Sequence, residues 1–149
     1  PATTQPIAQS QIALGNVTVS IVAHLTADGH PTISAFFEEP GDLPGNGMLD
    51  IRHTAALGPV DVYLNTGING ALFKVYSGLT NGGNLQLLEP AGDYQVVITP
   101  AGASPDAAPL KGTFTVVSDK YLNVYAIGDP NAGTLGVVTQ SFEIPALSF

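Results

Sequence analysis

The chain has no cysteine and no tryptophan, and its only basic side chains besides histidine are Arg52, Lys74, Lys111 and Lys120. Without cysteine there is no disulfide framework, and thiols say nothing of the redox compartment. Charged residues make up 11% of the sequence, against about 25% in an ordinary soluble domain. Twelve acids against four bases leave a formal charge of -8, a poor match for nucleic acid or anionic lipid. No apolar run approaches the roughly 20 residues of a spanning helix. Nucleic-acid partners and membrane insertion are therefore not expected. A surface so short of charge must be neutral and polar, sugar-coated, or covered by other copies of the chain.

What the chain does have is punctuation. Seventeen glycines and twelve prolines in 149 residues disfavour long helices. Short alternating runs take their place, and they predict an all-β fold. Strands are expected over 16–25, 32–37, 48–54, 60–65, 72–76, 84–88, 93–99, 112–117, 121–127 and 135–144. Roughly ten short strands with closely spaced turns predict an antiparallel β-sandwich. A single domain over 16–149 would follow an extended arm over 1–15. In the first strand Val17, Val19 and Ile21 share one face, and Thr18 and Ser20 share the other. Phe36 and Phe37 are consecutive, so one of them faces outward.

No reaction chemistry stands out. Of His24, His30 and His53, only His24 and His30 sit at short ligand spacing, and a metal site would need two or three of them to converge with a carboxylate; they read as turn-flanking residues and a strand-end hydrogen bond. No Gly-x-Ser-x-Gly elbow occurs. Glu38 and Glu39 read as a solvated edge in a loop over 38–47. Asp61 alternates with Val60 and Val62, so it reads as an outward solubilising charge or a turn cap. Asp42, Asn46 and Asp50, and again Asp129 and Asn131, offer oxygen ligands without matching a calcium loop. Asn81-Gly82-Gly83-Asn84 lacks the lysine of a phosphate-cradling loop and reads as a hairpin turn. Lys74, Lys111 and Lys120 could join an asparagine in an isopeptide bond, but they read as edge charges that block strand pairing. No catalytic, cofactor-binding or metal-binding residue is assigned, no cofactor is expected, and the chain is not expected to be an enzyme. Asn16-Val17-Thr18 is an N-glycosylation sequon that would place a sugar on Asn16.

Three stretches carry a resemblance. They are Leu49-Asp-Ile-Arg-His53 with Gly58-Pro-Val-Asp-Val-Tyr63, then Pro90-Ala-Gly-Asp-Tyr-Gln-Val96, then Tyr121-Leu-Asn-Val-Tyr-Ala-Ile-Gly128. In order and spacing they resemble the bacterial and archaeal domain-of-unknown-function family 4397, over about residues 48–143. The resemblance implies a small immunoglobulin-like sandwich, secreted or attached to a surface, with no catalytic residues to carry over. The chain departs from the family where Thr-Ala-Ala follows His53, and in the residues that precede the match.

An assembly reading joins these features. An edge strand is an open row of backbone donors and acceptors, usually guarded by lysine or proline, and lysines are few. An arm from a neighbour could fill such an edge, with Ile7, Ile12 and Leu14 as anchors. Fourteen extended residues reach roughly 45 Å, while a domain of this size has a radius of gyration near ~14 Å. Head-to-tail exchange that does not close gives a filament. The start at Pro-Ala-Thr-Thr reads as a mature product whose leader has been removed. The expected function is a non-catalytic extracellular or cell-surface structural protein, a homo-polymer built by donor-strand exchange into a filament or pilus-like fibre. The alternative is a secreted β-sandwich that binds a glycan or a surface protein.

Overall fold

In a computed structural model, the described residues are 9–14, 17–38, 43–66 and 70–143. Among them lie eleven strands and two short 3-10 turns. The strands are β1 (Gln9–Leu14), β2 (Val17–Leu25), β3 (Pro31–Glu38), β4 (Asn46–His53), β5 (Val60–Thr66), β6 (Leu72–Leu79), β7 (Asn84–Pro90), β8 (Gly92–Pro100), β9 (Leu110–Val116), β10 (Tyr121–Ile127) and β11 (Gly136–Phe142). They form three sheets: an outer sheet β1-β2-β3, a middle sheet β11-β10-β4-β7, and a far sheet β6-β5-β8-β9. The all-β expectation holds.

The sandwich core lies between the middle and far sheets. Leu49 and Ile51 of β4 and Leu122, Val124 and Ala126 of β10 meet Val60, Val62, Leu64, Val96, Ile98 and Phe114. Each of these runs alternates, so one parity enters the core and the other leaves it. Such side chains stabilise by about 1.5–3 kcal/mol each on full burial. On the side between β9 and β11 the sheets close tightly. A Cβ on Gly112 would lie 2.9 Å from a methyl carbon of Val137, so glycine is what lets the two strands approach.

Three details depart from expectation. The middle sheet has one parallel pair, β4 with β10, registered from Met48 opposite Tyr121 to His53 opposite Ala126. The turn Asn81-Gly82-Gly83 is not a hairpin, because β6 belongs to the far sheet and β7 to the middle one. The expected arm is a strand over its second half. Gln9–Leu14 runs antiparallel to β2 of the same chain, from Gln9 opposite Val22 to Leu14 opposite Val17.

The outer sheet lies on the free face of the middle sheet. Val22 and Phe36 pack there with Tyr125, Ile127 and Val138. At one end, the Asn81 amide donates to the carbonyls of Leu25 (2.9 Å) and Ala55 (2.7 Å). Along β7, the Gln86 amide donates to the carbonyl of Phe37. The molecule is thus a sandwich with a third layer.

Candidate functional site

The contact between outer and middle sheets is built on charge. Leu49 and Ile51 point into the sandwich core, so Asp50 and Arg52 must emerge on the other face of β4. By the same parity β10 offers Asn123 and Tyr125 there. From above, β3 brings Phe36 and Glu38, and β2 brings Ser20. Arg52 is 0% exposed, and Glu38 and Asp50 are 2% exposed. The guanidinium serves three partners. Its Nε donates to Asp50 at 2.7 Å and Nη1 to the Tyr125 hydroxyl at 2.7 Å, while Nη2 pairs closely with Glu38. Its Cζ lies 4.6 Å from the Phe36 ring centre and 5.3 Å from that of Tyr125, within cation–π range. Asn123 donates to Glu38 and Asn84 to Asp50.

Two carboxylates share one guanidinium, so the cluster buries one excess negative charge. Glu38 bears the consequence. Burial pushes its carboxyl above the ordinary 4.5, against the opposing pull of Arg52, with Asp50 adding to the rise. Its Oε2 has no partner, and neither has the amide oxygen of Gln140, which lies opposite Asn123 in register. The fold therefore favours the neutral form of Glu38 more than water does. Its contribution to stability is complete below 4.5 and is lost as pH rises through the raised value. Glu38→Gln should thus be at least as stable as the parent at pH 7, with the difference vanishing near pH 4. Thermal melts across pH would check this. A loss above about 1 kcal/mol at pH 7 would show that the ionised pair is needed.

Glu38 corrects the reading of the sequence. It is not a solvated loop residue; it ends β3 and closes the internal cluster. Asp61 is corrected in part. It lies on the outer face of β5 but is 2% exposed. It accepts from Lys74 at 2.8 Å and from the backbone of Gly78 and Gly102, each at 3.0 Å. The Lys74 hydrogen bond, then that of Gly102, hold its carboxyl down to about 2. Its stabilisation is present above 3.8 and fades as pH falls through about 2. It is a turn cap, and Lys74 is its partner.

The remaining candidates stay apart. His53 is buried and its Nε2 donates to the Gly58 carbonyl at 2.9 Å; burial lowers its pKa. His24 Nδ1 donates to the Leu25 carbonyl, and Nε2 meets the Ser34 hydroxyl at 2.7 Å. Asp129 caps a 3-10 turn by accepting from the backbone of Asn131. Asn46 donates to the Pro44 carbonyl, while Asp50 belongs to the Arg52 cluster. Asp42 lies outside the described residues, and among those described no three metal-ligating side chains converge. Ile7 and Asn16 also lie outside them. Ile12 and Leu14 are on β1, opposite Val19 and Val17 in register.

Two surface features complete the inventory. An open cleft of about 310 Å³ is lined by Thr115, Val117, Lys120, Tyr121, Phe142 and Glu143 among others. Tyr121 and Phe142 stack there at 5.4 Å, and Lys120 pairs with Glu143. The second feature is the outer sheet's exposed face, which carries Ile33 at 68% exposure, Phe37 at 62% and Ile21 at 37%. No helix among the described residues is long and apolar enough to cross a membrane. No family model, curated protein or solved structure matches the chain.

Proposed function

We propose that this chain is a non-catalytic structural protein that acts outside the cell by assembling with copies of itself. One observation carries the reading: the one dense cluster of charge among the described residues is buried, while several large apolar side chains stand on the surface. Arg52, Glu38 and Asp50 are sealed between two layers where no substrate can reach them. Ile33, Phe37, Phe73 and Leu88 stand at half exposure or more. Ile33 and Phe37 share one face of β3, and a contiguous apolar patch marks an interaction surface. The extracellular setting rests on the resemblance of residues 48–143 to secreted and surface-attached modules.

Strand exchange is a route to a filament or pilus-like fibre that the hairpin makes narrower. Two residues separate β1 from β2, so Gln9–Leu14 meets its own β2 at high effective concentration. Exchange between copies then falls to residues before Gln9, Ile7 among them. Light scattering and electron microscopy of the full chain at physiological salt test the reading. Oligomers or fibres that grow with concentration are expected. The second reading, a glycan- or protein-binding module, is favoured by the aromatic cleft at Tyr121 and Phe142. A monomer at every concentration, whose melting point rises with an added glycan, would replace the first reading with the second.

A further inference from the structure

The outer sheet is turned inside out. On β3 the side chains facing the middle sheet are Thr32, Ser34, Phe36 and Glu38; those facing away are Pro31, Ile33, Ala35 and Phe37. On β2, Thr18, Ser20, Val22 and His24 share the inward parity, and Val19, Ile21, Ala23 and Leu25 the outward one. Register confirms one continuous outer face: Val19 lies opposite Phe37, Ile21 opposite Ala35, Ala23 opposite Ile33, and Leu25 opposite Pro31. Every one of these eight positions is apolar. A half-solvated sheet ordinarily shows the reverse pattern. Val19 is already buried, while Ile21, Ile33, Ala35 and Phe37 remain exposed.

We infer that this face is where two copies of the chain meet, face to face about a two-fold axis. The inference rests on the self-assembly reading and names its contact. Charge selects the occupant. The chain carries -8, so copies repel wherever acids face each other. Three of the four lysines and arginines are engaged internally: Arg52 with Glu38 and Asp50, Lys74 with Asp61, and Lys120 with Glu143. Acid-to-base attraction between copies therefore has little to draw on. The outward positions of β2 and β3 hold no ionisable side chain, so two copies can approach there without that repulsion. A two-fold contact needs a patch that complements itself, and a flat apolar sheet face does. Sheets pack face to face at about 10 Å.

The size of the face sets the strength. Two strands about 4.8 Å apart and eight to nine residues long, at about 3.3 Å per residue, give a face of roughly 250 Å². Two such faces fall well below the size of a standard protein interface, so the contact is weak, reversible and dependent on concentration.

Sedimentation velocity over a wide concentration range tests this on three proteins: the parent chain, Ile33→Glu/Phe37→Glu, and the milder Ile33→Ser/Phe37→Ser. Both replaced side chains stand in solvent, and unchanged melting points will verify the fold. The parent should associate, and the glutamate variant should weaken association at least tenfold, with the serine variant between. Association of the glutamate variant at the parent's strength would overturn the proposal and leave the self-assembly reading intact. A parent that is monomeric throughout would sink both. Flotation with phosphatidylcholine vesicles separates the remaining occupant: a monomeric parent that floats, with a glutamate variant that does not, would assign the face to lipid and overturn the two-fold pairing.

Discussion

Arg52→Ala should lose about 3–5 kcal/mol of unfolding free energy. The reason is the charge count of the cluster. With the guanidinium gone, Glu38 and Asp50 face each other between two layers with no positive partner, and the Tyr125 hydroxyl loses its donor. The void beside Phe36 and Tyr125 adds a packing loss. Arg52→Lys should recover little, because one ammonium cannot serve three partners from a planar fork. Adding Glu38→Gln to Arg52→Ala should restore part of the loss, since only one buried carboxylate then remains. Urea denaturation by linear extrapolation measures all four proteins. A loss under about 1 kcal/mol for Arg52→Ala would mean that the outer sheet is held by Val22, Phe36 and the amide bonds of Asn81 and Gln86, without the ion cluster.

Gly128→Ala should cost roughly 2–4 kcal/mol. Gly128 follows β10 with φ at +95°, and a Cβ there would lie 2.1 Å from the Thr134 carbonyl oxygen. The residue also accepts from the backbone of Ala56 at 2.7 Å, so it cannot shift without disturbing the link that leaves β4. Gly133, in the same connection, supplies the control. Its φ is +67°, but nothing lies within 4 Å of its Cβ position. Gly133→Ala should therefore cost only the backbone strain, about 1–2 kcal/mol. The difference between the two measures the collision with Thr134. Equal losses would show that the β10–β11 connection yields to accommodate the methyl group.

Both sites bear on what a single sequence can reveal. The ten strands expected from alternation and turn residues are found, with ends shifted by a few residues. Tyr121–Ile127 matches at both ends, and its parity already separated Val124 from Asn123 and Tyr125. The first strand, Gln9–Leu14, reads as an arm in the sequence because its run of small and polar residues has little periodicity. The third layer was not legible for a different reason. Alternation in β2 assigns Val19 and Ile21 to one face and Thr18 and Ser20 to the other, but it does not say which face meets the protein. Here the polar face does, because Arg52 and Asp50 of the middle sheet supply the partners.

The ion cluster did leave a trace. Arg52 stands inside a strand, two residues from Asp50, with Leu49 and Ile51 interleaved. A charge pair on the reverse face of a core strand requires something to cover it or solvent to reach it. Only the packing of β3 decided between these, and it placed Glu38 over Arg52. Asp61 escaped for a similar reason. Its parity was legible, but the backbone donors of Gly78 and Gly102 come from separate turns, and no local pattern announces their convergence.

The central claim is that copies adhere through the outer face of β2 and β3. Hydrogen–deuterium exchange at two concentrations, one on each side of the association midpoint, tests it most directly. The face-to-face account predicts that slowing on concentration is confined to Pro31–Glu38 and Val17–Leu25, because water is excluded over those strands alone. Exchange that does not change with concentration, or that slows instead along Gly136–Phe142 at the open edge of the middle sheet, would contradict it.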